Sequence, residues 1–291
     1  MPVNRYKEFM PHTLLQDQVK RFWILEKEYT PEDSLEEVLP DACIELILNF
    51  GIPYLEISGS RPRKLPKVFL IGLQSKPLIL QANGVVRIIA VRFFAWGALS
   101  FLQHEVRPES TMKAELDNEW RSMISKIAAE VHTGEYQKAV EVLEDFLIGK
   151  RLNSLFEPQQ VRAAAKLLYR SKGQFRVADL ANYLNLSMRQ LQRQFEDATG
   201  VSPKSLARTI RFEAIRNRLM FEPEANLTEL AYEFGYTDQA HFINDFKAFT
   251  DKTPGEFAAE IQKLQELFSD HENVVFLQSP PTMLDYTGDD V

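Results

Sequence analysis

The chain has 291 residues, 45% of them apolar and 26% charged, and a formal net charge of −7. That profile excludes a collagen-like, low-complexity or wholly disordered chain and supplies apolar material for two compact domains. It also excludes a polycation, so nucleic-acid binding would need positive charge gathered locally, because phosphate neutralisation supplies most of such affinity.

The N-terminus (MPVNRYKEFMPH) has no apolar signal core, and no later window approaches the ~18 consecutive apolar residues of a membrane helix. A cytoplasmic protein with no membrane partner is expected. From about Gln18 to Phe94 the pattern is short and β-like. VKRFWILEKEY alternates in part, while ACIELILNF and VVRIIAVRFF are rich in β-branched and aromatic residues. Turn signals at 51–53 (GIP), 58–63 (SGSRPR) and 83–84 (NG) separate these runs, which suits a sandwich or small barrel. Asn83-Gly84 reads as a hairpin turn, since both residue types accept positive φ. Cys43, the one cysteine, sits in a strand-like apolar run as a buried small hydrophobe and has no disulfide partner.

After Phe94 the period changes. Segments 111–132 and 135–149 carry Leu116, Trp120, Met123 and Ile127, then Val140, Leu143, Phe146 and Leu147, at helical spacing. They read as a helical connector packed on the β-rich part. From Val161 onward the chain reads as helical. Beyond about Phe268 it is Pro-interrupted and acidic at its end, with VVFLQ able to dock as a short strand before the last residues fray.

An internal repeat is the informative feature. VADLANYLNLS (177–187) aligns with LTELAYEFGYT (227–237) at an offset of 50, and at 51 Phe195/Phe246, Thr199/Thr250 and Pro203/Pro254 match. Each copy reads as helix, tight turn, helix. Ala181 or Ala231 permits close approach of the second helix, Asn185 or Gly235 takes the left-handed turn, and Ser187 or Thr237 caps the next helix. This is helix-turn-helix grammar.

In Ser187–Ala198, Met188, Leu191 and Phe195 form the inward stripe, leaving Arg189, Gln192 and Arg193 as an outward face near the N-terminus. Arg can grip guanine O6/N7 and Gln adenine N6/N7, each at two points, and early positions of a recognition helix reach base edges. In the second copy Phe242, Phe246 and Phe249 point inward, leaving Gln239, His241 and Asn244 beside Asp245. Residues 187–218 hold seven basic and three acidic side chains; residues 222–260 hold two basic and nine acidic. The first copy should dominate phosphate contact. Between the copies, Gly200 ends one helix while Ser202-Pro203 starts another of about 203–220, with Leu206, Ile210, Ala214 and Leu219 opposite Arg208, Arg211 and Arg216. Such a rod can hold two reading heads on one face of DNA.

ADLANYLNLSMRQLQRQF, TGVSPKSLARTIRFEAIRNRL and LAYEFGYTDQAHFINDFKAFTDKTP together resemble the AraC/XylS-type transcription regulators, over about residues 160–258. The resemblance implies two modules entering successive major grooves. The base-facing positions then fall on Arg189, Gln192 and Arg193 in the first module and on Gln239, His241 and Asn244 in the second. Phosphate contacts fall on Ser187, Lys204, Arg208, Arg211, Thr237 and Lys247. Two positions depart from the pattern: Asn244 stands where Arg is frequent, and Asp251 where Gly is usual, a left-handed position costing up to ~1–2 kcal/mol. LPDACIELILNFG, FLIGLQSKPL and IIAVRFFAWGALSFL resemble the β-rich sensor or dimerisation domain of one branch of the family. The expected class is multidomain α+β: a barrel-like β-rich domain (1–110), a helical connector (111–158), an all-α domain with two helix-turn-helix motifs (159–260) and a partly disordered tail (261–291). The implied partners are double-stranded DNA, RNA polymerase, a second copy through the N-terminal region and a small-molecule effector.

An enzyme is the competing class. Asp41, Cys43 and Glu45 would be its candidate cluster, but His12, His104, His132, His241 and His271 are scattered, and GxGxxG, GxxxxGK[ST] and GxSxG are all absent. No catalytic residue, cofactor or metal is expected. A third reading keeps an effector-binding or protein-interaction module with weak DNA binding through the first helix-turn-helix only.

Overall fold

A computed structural model describes residues 4–57, 61–102, 111–114, 116–153 and 159–268. Among the described residues ten strands come first: β1 (Asn4–Phe9), β2 (Val19–Tyr29), β3 (Leu35–Val38), β4 (Cys43–Asn49), β5 (Leu55–Glu56), β6 (Arg63–Lys64), β7 (Val68–Ile71), β8 (Leu78–Gln81), β9 (Gly84–Phe94) and β10 (Thr111–Lys113). They form two antiparallel sheets, one in the order β1-β2-β9-β4-β7-β10 and one in the order β3-β8-β5-β6. The sheets do not close into a barrel.

The inner strands β2, β4, β7 and β9 of the six-stranded sheet are largely buried on both faces, which is why they read as nearly continuous apolar runs. Successive side chains point to opposite faces. Phe22, Ile24, Leu46, Leu70, Ile89 and Val91 enter the core shared with the helices. Trp23, Leu25, Ile47, Phe69 and Ile88 enter a second core, which they share with Leu78 and Leu80 of the smaller sheet. Cys43 is buried and free, and burial pushes its thiol well up.

The helical part comprises α1 (Asn118–His132), α2 (Tyr136–Asn153), α3 (Gln159–Arg170), α4 (Val177–Tyr183), α5 (Met188–Thr199), α6 (Pro203–Phe221), α7 (Leu227–Glu233), α8 (Gln239–Thr250) and α9 (Pro254–Phe268). Trp120, Met123, Ile127, Val140, Leu143 and Leu147 of α1 and α2 are buried in the core that includes the sheet, the connector packing read from their spacing.

Two readings need correction. Residues 111–113 are not helical but pair as β10 with β7. The helix starts only at Asn118, where the Asp117 carboxylate accepts from the Trp120 N–H at 3.0 Å. Nor does Asn83-Gly84 close a hairpin. β8 pairs with β3 and β5, and β9 with β2 and β4, so this turn carries the chain from one sheet to the other. Only Gly84 takes positive φ there, at 116°. His104, His271 and the tail from 269 on, VVFLQ included, lie outside the described residues.

The β-rich part docks on α6 through buried charges. A bulge in β2 between Val19 and Arg21 takes Lys20 out of the ladder, and re-aiming a side chain is what a bulge does. Lys20 Nζ then lies 2.9 Å from the Glu213 carboxylate, both groups buried. The Ala42 N–H also donates to Glu213, and the Arg216 guanidinium donates to the Pro40 carbonyl oxygen. Nearby, Arg92 donates to Glu45 at 2.5 Å and faces Asp41. Helical spacing sets Arg216 opposite the apolar stripe of α6, yet it is 3% exposed. Asp41 and Glu45, with Arg92, line a cavity of about 240 Å³ between the sheets, bounded by Arg216 and Met220 of α6 and Phe257 of α9.

Burial works against an ionised Glu213, but Lys20 and Arg216 outweigh it and hold the carboxyl down at about 2. The folded-state value lies below the ordinary 4.5. The stability it supplies is therefore present above pH 4.5 and lost as pH falls towards 2. Glu213→Leu, which removes the buried carboxylate that Lys20 and Arg216 face, should cost about 3–5 kcal/mol. Adding Lys20→Met should recover most of that loss and flatten the acid limb. Urea melts across pH check both outcomes.

Candidate nucleic-acid interface

The first module is built from α4 and α5. Leu180 and Ala181 are buried against Leu191 and Phe195, and Asn185 takes the left-handed turn at φ 54°. Ser187 accepts from the Gln190 N–H, and Gln190 Oε1 accepts from the Ser187 N–H at 3.0 Å, a complete capping box. Gly200 ends the helix at φ 78°. The whole first turn of α5 projects from the domain: Ser187, Met188, Arg189 and Gln190 are all exposed. Met188 therefore does not join the inward stripe, which runs Leu191, Phe195, Ala198. Arg189, Gln192 and Arg193 are exposed, and Gln192 donates to Glu196 at 3.0 Å.

The second module repeats the plan with one shift. Asn226 caps α7, Gly235 turns at φ 75°, and Phe242, Phe246 and Phe249 fill the core. The cap of α8 is Asp238 rather than Thr237, its carboxylate accepting from the His241 N–H at 2.7 Å, a bond that lowers the Asp238 pKa. The residue gained between the repeats thus falls before the cap. Aligned on their caps, α5 and α8 correspond at an offset of 51. Arg189, Gln192 and Arg193 then match Ala240, Ile243 and Asn244, of which only Asn244 is polar. Gln239, His241 and Asn244 are exposed, as are Thr237 and Lys247. Asp251 ends α8 at φ 57°, the left-handed position read from the sequence.

α6 joins the modules and engages several of the cations counted for DNA. Ser202 caps it and Pro203 opens it. The Arg208 Nε donates to Asp245 Oδ1 at 2.8 Å, while the Tyr236 hydroxyl donates to Asp245 Oδ2 at 2.8 Å. Asp245, counted with the acidic surface, is thus a buried tie between α6 and α8. Arg211 donates to the Gly173 carbonyl oxygen and lies over the Tyr236 ring. Arg218 pairs with Glu222. Arg208 and Arg211 are half-buried, whereas Arg189, Arg193, Lys204 and Lys247 stand exposed. A count along the sequence cannot make this division, because it treats every charge as solvated.

Known proteins resemble the chain in parts. A helix-turn-helix domain model matches residues 180–260, and a domain of unknown function, DUF6597, matches residues 7–110. The Msm operon regulatory protein of Streptococcus mutans is 31% identical over 104 residues, 35% of this chain and 37% of that protein. The HTH-type transcriptional activator RhaS of Escherichia coli is 35% identical over 68 residues, 23% of this chain and 24% of its own. The chain therefore spans only about a quarter to a third of the length of these curated relatives. Among solved structures, ToxT from Vibrio cholerae is 13% identical with a TM-score of 0.47, covering 82% of this chain and 98% of its own. The C-terminal domain of AraT from Geobacillus stearothermophilus is 27% identical with a TM-score of 0.34, covering 37% and 88%.

The two arginine classes should separate by mutation. Arg208→Ala, which strips a buried carboxylate of its cation, should cost roughly 1–2 kcal/mol of stability and leave the salt dependence of DNA binding nearly unchanged. Lys204→Ala should do the reverse. Thermal melts and binding titrations over a range of salt read both.

Proposed function

We propose that this chain, whose C-terminal part is an AraC-type double helix-turn-helix domain, is a sequence-specific DNA-binding transcription regulator. The observation that carries the reading is the projecting, capped start of α5, with Arg189 and Arg193 exposed on it. Helix N-termini and long cationic side chains are what major-groove recognition uses. α6 has 19 residues and spans about 28 Å at 1.5 Å per residue, close to the ~34 Å of one turn of DNA. The first module is the main reader, through Arg189, Gln192 and Arg193. The second adds weaker reading through Gln239, His241 and Asn244. Ser187, Thr237, Lys204 and Lys247 meet phosphates.

In this reading the β-rich domain tunes the reading heads, and the cavity between it and α6 is the effector site. A second copy is a natural partner for the outer edge of β1, which among the described residues pairs only with β2; unpaired strand edges invite such addition. RNA polymerase is the partner through which bound regulator would act, in the cytoplasm.

Selection of bound duplexes from a random library tests the reading and gives the site. Arg193→Ala should then cost about 1–3 kcal/mol and relax preference at one base pair, and Asn244→Ala should cost less. With the two lysines that meet phosphates at about 0.9 per contact, log affinity should fall against log salt with a slope near −2. A flat slope with no enriched sequence would overturn the reading.

A further inference from the structure

The cavity between the sheets is aromatic, acidic and incompletely satisfied. Trp23, Tyr54 and Phe69 line it, each buried. The Trp23 indole N–H is buried and has no hydrogen-bond partner among the described residues. A buried donor without an acceptor is costly enough that native structures seldom keep one; a ligand acceptor would satisfy it. The volume, about 240 Å³, lies just under the ~300–1,000 Å³ of typical small-molecule sites, which limits the occupant to a compact molecule.

Charge narrows its class. Five carboxylates line the cavity against three cations, and each cation is already engaged. Arg92 is held by Glu45 and Asp41, Lys252 by Glu260 at 2.7 Å and Glu37 at 3.9 Å, and Arg216 donates to Asn217 and to the Pro40 carbonyl oxygen. An entering anion would have to break one of these arrangements. Glu36 differs: both its hydrogen bonds within the wall come from neutral groups, the hydroxyls of Tyr29 and Tyr54, and Lys27, the cation that acts on it, is paired with Asp33 at 3.2 Å. Burial raises its pKa, so a cation placed beside it would restore its ionisation. Aromatic faces beside such a carboxylate are the surroundings in which ammonium groups bind.

We propose that this cavity takes a small molecule bearing one positive charge, an amine or quaternary ammonium, on an aromatic or apolar body, with Glu36 as counter-ion and the aromatic walls around the cation. The proposal rests on the reading of this cavity as an effector site and names what fills it.

The test uses the full chain with a panel of arylalkylamines and arylalkylammonium ions, each matched to an alcohol and a carboxylate of the same shape. Thermal shift and tryptophan fluorescence are read at millimolar probe. At least one cation should raise the melting temperature and perturb the fluorescence, binding roughly tenfold tighter than its alcohol, with no shift from the carboxylate. Glu36→Gln should lose that tenfold preference, and Leu80→Trp, which fills the cavity, should abolish binding. If Leu80→Trp fails to fold, Glu36→Gln decides alone. The proposal is overturned if no cation of the panel binds, if a carboxylate binds as well as its cation, or if Glu36→Gln leaves the preference intact. DNA affinity is measured on the same preparation without probe. Normal DNA binding with no cation response sinks the ligand class alone, whereas loss of DNA binding sinks the regulator reading.

Discussion

One helix belongs to two hydrophobic cores. The first half of α6 puts Leu206, Ala207 and Ile210 into the core that holds the first module, and its second half puts Phe212, Ile215, Leu219 and Met220 into the core of the second. Phe212 stacks on Phe249 and meets Phe246 edge-on, so the second module is keyed to the rod by rigid rings rather than by flexible side chains. A continuous helix resists a sharp kink, which would break its backbone ladder, and each core fixes its own end. The spacing and relative orientation of α5 and α8 follow from that. The Arg208–Asp245–Tyr236 tie adds a polar lock on the same hinge line.

The other side of α6 meets the β-rich part through charge. Lys20, Glu213, Arg216, Arg92, Asp41 and Glu45 form a buried network across the interface, of a kind that specifies one arrangement more than it stabilises it. Burial and the neighbouring carboxylates keep the Asp41 carboxyl up near 6, against the pull of Arg92, so ionising this member works against the fold while ionising Glu213 favours it. The arrangement puts the cavity and the two proposed reading heads on one rod. An occupant that bears on Arg216 or Met220 bears on the element that sets the geometry of both heads, and linkage makes such an influence reciprocal.

Much of the helical domain was legible because its signals are local. Asn185, Gly235 and Asp251 sit where the backbone must turn left-handed, Ala181 and Ala231 sit where helices must approach, and Ser187 and Ser202 sit at helix starts. The β-branched and aromatic runs likewise marked β2, β4 and β9. What stayed hidden depends on partners distant in sequence. Lys20 and Glu213 are 193 positions apart, and neither looks different from a solvated residue in its own segment. The link from β8 to β9 resembles a hairpin until strand pairing is known. The cap at Asp238 was missed for a subtler reason: Thr237 and Asp238 are both good capping residues, and only the backbone decides which starts the helix. That one-residue choice changes which side chains of α8 correspond to the Arg189 face, and leaves the second head with little beyond Asn244 to match it.

In the proposed reading two unequal heads, fixed on a stiff rod, meet one face of the duplex together. Hydroxyl-radical footprinting of the full chain on a selected site measures this directly. Two protected tracts about 10.5 base pairs apart are expected on the same face, the tract under α5 remaining protected at higher salt than the one under α8. One tract alone, or two on opposite faces, would contradict it.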